Sequence, residues 1–173
     1  ILTGLTMAVL VACENRWEEH YQKEPETVNM NVWDAIQQEP DLSLFVQYVK
    51  EFRYDTLFQG DQPYTLFIPD NDAISILTDT GMVTRSMLDY HISLHFIQSR
   101  LVRGKKKVQT LAEKFALFEN AGSDLYFDNI GIDFESPLYI NGKYFIIGSV
   151  ADPKPNLYEY FAVENPILTA YID

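Results

Sequence analysis

The 173-residue sequence predicts an α+β domain in which helices come first and short antiparallel strands follow. Apolar residues recur at helical spacing up to residue 95 and at strand spacing beyond residue 107, and Asn141-Gly142 joins two β-prone triplets in the manner of a hairpin. With 47% apolar and 14% aromatic residues, the chain has material for one core and is too apolar for disorder.

At the amino end, residues 1–12 are uncharged and apolar. As a helix they would reach about 18 Å, short of the roughly 30 Å hydrocarbon core, so they do not span a bilayer. The stretch has the length of a signal-peptide h-region, and Leu10-Val11-Ala12-Cys13 resembles the lipobox of bacterial lipoproteins, whose cysteine is diacylated and becomes the mature amino terminus. Cys13 is the expected lipid attachment, its thiol consumed as a thioether. A buried apolar segment with a core cysteine is the alternative. Residues 13–30 read as a lipid-anchored acidic linker without apolar periodicity, and residues 31–155 as the domain.

Within the domain, Asn31 caps a first helix, with Asp34 three residues on. Pro40-Asp41 restarts the pattern, and Leu42, Phe45, Val46, Val49 and Phe52 form the apolar stripe of a second helix. Residues 64–68 are a β-prone run ended by Pro69, residues 71–77 a brief helix capped from Asp70 or Asn71, and residues 84–95 a further helical pattern capped by Thr84. Strands are expected over residues 108–111, 115–118, 125–127, 138–140 and 144–147. Asn141-Gly142 is expected to form a type I′ turn, which needs two residues that tolerate positive φ. Asn156-Leu157-Tyr158-Glu159-Tyr160-Phe161 echoes Asn31-Val32-Trp33-Asp34-Ala35-Ile36. Residues 156–173 are therefore read as the start of a truncated second copy, the alternative being a C-terminal helix with similar capping chemistry.

Four segments, in order and spacing, resemble fasciclin domains. Tyr64-Thr65-Leu66-Phe67-Ile68-Pro69-Asp70-Asn71-Asp72-Ala73-Ile74 is similar to their first signature, and Met87-Leu88-Asp89-Tyr90-His91-Ile92 to their central Tyr-His segment. Val108-Gln109-Thr110-Leu111 matches the strand that follows, and Asn141-Gly142-Lys143-Tyr144-Phe145-Ile146-Ile147 the closing hairpin. Ile68 and Ile74 stand where Ala and Phe are usual, and the closing segment lacks the family's Val-His sequence, so adhesion motifs of animal members are not carried over. The resemblance implies a β-wedge flanked by N-terminal helices, with Thr65, Phe67, Pro69, Asn71, Asp72, Tyr90, His91, Asn141 and Gly142 as structural residues. It implies no chemistry and no cofactor. Together with Cys13-Glu14-Asn15-Arg16, the whole looks like the fasciclin lipoproteins of Gram-negative, Bacteroides-type bacteria. That resemblance implies an outer-membrane lipoprotein, surface-exposed or periplasm-facing, with a protein partner such as a TonB-dependent transporter complex.

Composition narrows the function classes. A net charge of −12, from 25 acidic and 13 basic side chains, opposes nucleic acid as a partner. A single cysteine excludes an intramolecular disulfide and multi-cysteine zinc sites. His91 and His95 stand at the spacing by which one helix offers two imidazoles to zinc, but the general-base Glu of the zincin motif is missing, and a hydrogen-bonded core histidine is the expectation. Asp70, Asn71 and Asp72 are read as capping residues rather than ligands. Gly-x-Ser-x-Gly and glycine-rich phosphate loops are absent, and the expected protein is not an enzyme. Asp55-Thr56-Leu57 resembles a short bacterial O-glycosylation site, with an ordinary loop as the alternative.

One cluster stands out against the acidic background. Arg100, Arg103, Lys105, Lys106 and Lys107 place five of the 13 basic residues within eight positions. They form the candidate contact site for a protein partner or, in the alternative, for glycan or extracellular matrix bound directly by a cell-surface adhesin. Lysines that protect a sheet edge from pairing are the structural alternative.

Overall fold

The computed structural model describes residues 27–60, 62–78 and 83–164; Cys13 and residues 165–173 lie outside the described residues. The helices are α1 (Val32–Ile36), α2 (Ser43–Glu51), α3 (Asn71–Thr78), α4 (Arg85–Tyr90) and α5 (Leu157–Glu164). The strands are β1 (Thr27–Val28), β2 (Tyr64–Pro69), β3 (Ile92–Ser93), β4 (Gly104–Gln109), β5 (Phe115–Asn120), β6 (Leu125–Phe127), β7 (Ile130–Glu135), β8 (Leu138–Tyr139) and β9 (Gly142–Ile147). The α+β architecture matches the expectation, with helices packed on a sheet of many short strands.

β2 and β9 form the middle of the molecule. They pair in parallel over six residues, from Tyr64↔Gly142 to Pro69↔Ile147, in a sheet expected to be antiparallel. Parallel neighbours need a long crossover, and here β3 to β8 supply it, a feature that no local sequence signal encodes. β3 lies antiparallel on the far side of β2, and β7 and β8 lie antiparallel to β9. β1 pairs in parallel with β8, so the sheet takes in Thr27 and Val28 from the segment read as linker. A register shift between Ile132 and Phe134 bends β7, whose first residues pair with β6 while its later ones pair with β9. The sheet then runs through β6 and β5 to β4 at its edge.

Because β2 and β9 are covered on both faces, their side chains feed two cores, which explains their near-continuous apolar runs. Tyr64, Leu66, Ile68 and Tyr144 pack with Val32, Ile36, Phe45, Val49 and Phe58 under the helices. Phe67, Phe145 and Ile147 point the other way, onto Val108, Phe118 and Phe127 in the wedge. There the Phe67 ring stacks on Phe127 with centroids 3.9 Å apart and on Phe145 at 5.4 Å.

Two further expected features differ. The helical pattern of residues 84–95 keeps its Thr84 cap but stops at Tyr90, with His91 as its C-cap. Ile92 and Ser93 leave the helix to pair with Leu66 and Thr65, and Phe67 N donates to His91 O at 2.9 Å. Tertiary pairing with β2 overrides the helical spacing, and His91 and His95 no longer share a helix face. The second difference is the Asn141-Gly142 turn. Only Gly142 has positive φ there, at 149°. The two-residue loop with positive φ at both positions is Asp128-Asn129, φ 48° and 68°, between β6 and β7.

Asn141 and Gly142 are needed for other reasons. Asn141 is 3% exposed; its Oδ1 accepts from Val32 N at 2.9 Å and its Nδ2 donates to Phe58 O at 3.1 Å. Its own carbonyl accepts from Tyr64 N at 2.9 Å. One side chain thus joins α1, the turn at Leu57–Gln59 and the start of β9. A Cβ on Gly142 would lie 2.1 Å from Tyr64 O, so the parallel pair closes only without a side chain there.

His91 is 1% exposed. Its Nδ1 donates to Met87 O at 2.7 Å and its Nε2 accepts from Ala151 N at 3.0 Å, a pattern that specifies a neutral ring. Burial pushes its pKa down to about 4, against the opposing pull of the Met87 carbonyl and Asp128.

Asn141→Ala leaves Val32 N unpaired in the core and is expected to cost about 2–3 kcal/mol, and Gly142→Ala about 3 kcal/mol or more, read as falls in urea midpoint. For His91 the unfolded chain binds a proton below pH 6.5 that the fold refuses until about 4. Stability is therefore full above pH 6.5 and falls by up to about 3 kcal/mol towards pH 4. Urea titrations at pH 7.0 and 5.5 should show about 1 kcal/mol of that loss in the parent protein and a flatter response in His91→Gln; equal pH responses would contradict it.

Candidate functional site

The residues shared with fasciclin signatures serve as internal fastenings. Thr65 Oγ1 donates to His95 O at 2.8 Å and accepts from Ile97 N at 3.0 Å, tying β2 to the chain after β3. Pro69 ends β2 opposite Ile147. Asp70, rather than Asn71, caps α3, its Oδ1 accepting from Ala73 N at 2.7 Å. Asn71 instead caps a different helix: its Oδ1 accepts from Leu44 N at 2.9 Å, and its Nδ2 donates to Pro40 O and Ser43 Oγ, both at 3.0 Å. Asp72 is exposed in the first turn of α3, where an acid complements the helix dipole. The Tyr90 hydroxyl donates to Asp128 Oδ2, and Asp128 Oδ1 accepts from Leu117 N at 2.7 Å, so the β6–β7 turn is locked to α4. Burial first and the Asp128 carboxylate second raise the Tyr90 pKa. Thr56 Oγ1 donates to Arg53 O at 3.4 Å in an exposed turn.

The basic cluster lies at the sheet edge. A short turn at Ser99–Leu101 and the buried Val102 lead to Gly104, whose φ of 70° opens β4. β4 pairs with β5 on one side alone among the described residues, and all its residues except Val108 are exposed. Alternation then divides the lysines. Lys105 and Lys107 stand opposite Glu119 and Leu117 on one face, whereas Lys106 stands opposite Phe118 on the other. Lys105 Nζ lies 3.4 Å from Glu119 Oε2, an exposed pair worth under about 1 kcal/mol.

Three clefts take up these cations. Arg103, Lys105 and Lys106, with Phe96 and Leu101, line one of about 280 Å³. Arg100 lines a neighbour of about 460 Å³, together with Phe134, Glu135 and Lys143. Lys107 belongs to neither; it borders a third cleft of about 400 Å³ with Lys114 and Lys154. The structure thus brings four of the five cluster residues to two adjoining clefts and sends the fifth elsewhere.

Sequence reasoning missed the polar floor of the 460 Å³ cleft. Lys143 is 8% exposed within the apolar β9, its ammonium bonded to Glu135 Oε1 and 5.2 Å from the Phe145 ring. Ser99 Oγ donates to the same carboxylate at 2.7 Å. A lone lysine inside a buried strand was the available signal, since such a charge persists only when paired.

No curated protein matches the chain. Among solved structures it is similar to a FAS1 domain pair from the insect cell adhesion molecule fasciclin I, with 15% identity and a TM-score of 0.57 over 76% of this chain and 52% of that one. The chain spans about half the length of that pair. At that identity the likeness establishes the fold. The profile of the Fasciclin domain matches residues 40–150, from the turn before α2 to the end of the wedge. The chain belongs to the fasciclin domain family.

Proposed function

We propose that this protein is a non-enzymatic binding module held at a bacterial outer membrane by acylated Cys13. Its contact face is the open β4 edge and the two adjoining clefts. The carrying observation is that Arg100, Arg103 and Lys106 make no ion pair among the described residues of a chain whose net charge is −12. A cationic edge on an acidic protein suits an acidic partner surface, and charge complementarity would set its orientation and encounter rate. The first reading is a protein partner, an accessory role beside a TonB-dependent transporter or a neighbouring lipoprotein. A second reading, direct glycan binding, is favoured by the polar side chains Ser99, Arg100, Glu135 and Lys143 that line the 460 Å³ cleft together.

The echo at residues 156–161 supports a further part of this reading. Asn156 Oδ1 accepts from Glu159 N at 2.8 Å while Glu159 Oε2 accepts from Asn156 N at 2.9 Å, a reciprocal capping box. Leu157 and Tyr160, 71% and 52% exposed, occupy the positions of Val32 and Ala35, which are 0% and 6% exposed in α1. We read α5 as the opening helix of a second fasciclin-type unit, whose core would cover that face.

Three measurements check these proposals. Purification from detergent-solubilised native membranes should co-isolate a distinct membrane protein, lost with Arg103, Lys105 and Lys106 changed to Glu, and Cys13→Ala should move the protein from the detergent to the aqueous phase. Recovery of the parent chain alone, or from the aqueous phase, speaks against the reading. For α5, covalent labelling of the intact natural protein should find Tyr160 protected; a freely labelled ring would remove the second unit.

A further inference from the structure

β4 leaves part of its backbone unused, and the ladder shows which part. Just beyond the strand Thr110 N donates to Lys114 O at 2.9 Å, in line with the register that sets Gly104 against Asn120 and Gln109 against Phe115. In an antiparallel pair every second residue turns both its N–H and its C=O to the partner, so Val108, Lys106 and Gly104 face β5 while Gln109, Lys107 and Lys105 face away. Leu117, opposite Lys107, obeys the same alternation, since its carbonyl accepts from Asp128 N at 2.8 Å on the β6 side. One end of the outward edge is closed: Gln109 O accepts from Ser93 Oγ at 2.8 Å, and Leu111 N donates to Ile92 O at 2.8 Å. The outward N–H and C=O of Lys105 and Lys107 have no such partner among the described residues. Lys105 and Lys106 line the 280 Å³ cleft, so open space adjoins this stretch.

Alternating donors and acceptors along an open edge are what an added strand pairs with, and the side chains beside them set its chemistry. In an antiparallel addition, the residues directly opposite Lys105 and Lys107 project onto the same face as these two lysines, within reach of their ammonium groups. Lys105 shares that face with Glu119, whereas Lys107, opposite Leu117, makes no ion pair among the described residues. Like charges across a ladder repel, so these lysines reject a second copy of β4, while acids at alternate positions complement them. We propose that β4 takes an extended acidic segment of a partner protein as an added antiparallel strand. Both backbone groups of Lys105 and of Lys107 hold it, and acids two residues apart meet the two ammonium groups. The inference rests on the protein-partner reading above and states how that partner is held.

The test titrates the intact chain with a capped peptide, Ser-Glu-Val-Glu-Val-Glu-Ser, its glutamine counterpart, and two N-methylated forms of equal charge, one methylated at the glutamate amides and one at the valine amides. Amide exchange followed by NMR should be slow at Lys106 and Val108 throughout, and should slow about tenfold at Lys105 and Lys107 when the parent peptide is added. Methylation of the glutamate amides removes the N–H groups that face β4 and should weaken binding about tenfold, while methylation of the valine amides should leave it within about twofold. The glutamine peptide, and the Lys105→Gln/Lys107→Gln variant with the parent peptide, should each bind about tenfold more weakly. Equal losses from the two methylated peptides, or binding without protection at Lys105 and Lys107, would overturn strand addition while leaving an acidic partner in place. Equal binding of the glutamine peptide would overturn the acidic class and, with it, the charge-based reading of this edge. Absence of binding by every peptide would overturn strand addition, and the co-isolation experiment above then decides the partner reading separately.

Discussion

The parallel pairing of β2 with β9 is the constraint on which the rest of this molecule depends. Two strands far apart in sequence form a partition, and each face of that partition is the wall of a different core. The helices cannot bury Val32, Ile36 and Phe45 without Tyr64 and Tyr144, and the wedge cannot close around Phe127 without Phe67 and Phe145. The pairing is itself fragile at its first step, where the backbones of Tyr64 and Gly142 approach too closely for any Cβ. Asn141 secures that step by bonding to three segments at once. Removal of one amide therefore disturbs both cores.

Placing β2 and β9 at the centre leaves β4 at the rim, and this decides where charge is carried. The apolar strands occupy the doubly covered positions, while the edge strand is mostly lysine, glycine and glutamine. Lysines at an edge discourage pairing with another sheet, so part of the cluster has a protective use whatever it contacts. The protective use does not require Arg100 and Arg103, which precede the strand, nor a partly buried Lys143–Glu135 pair lining the adjoining cleft. Those groups are the ones on which the proposed contact face rests.

Local signals were most legible where one element settles its own conformation. Asn31 and Thr84 cap the helices they precede, with Asn31 Oδ1 accepting from Trp33 N at 2.9 Å and Thr84 Oγ1 from Met87 N at 3.2 Å. The stripe of Leu42, Phe45 and Val49 is buried as its spacing requires. Legibility failed where a distant strand competed. Residues 91–95 carry helical spacing, yet backbone groups of β2 capture Ile92 and Ser93. β7 was invisible because most of it faces solvent and half its length changes partner at the bulge.

The basic cluster shows the same division: its composition was plain in the sequence, but the tertiary structure distributes its members over three clefts. What the sequence by itself determined is the order of helices and strands, their caps, the family pattern and the presence of a concentrated positive charge, because each depends on neighbours within a few residues. Tertiary structure alone decided that β2 and β9 run in parallel, that Asn141 is a buried junction rather than a type I′ turn, and that Lys143, Glu135 and Ser99 meet beside Arg100. Those outcomes depend on groups separated by tens of residues, which only the packing of the two cores brings within hydrogen-bonding distance.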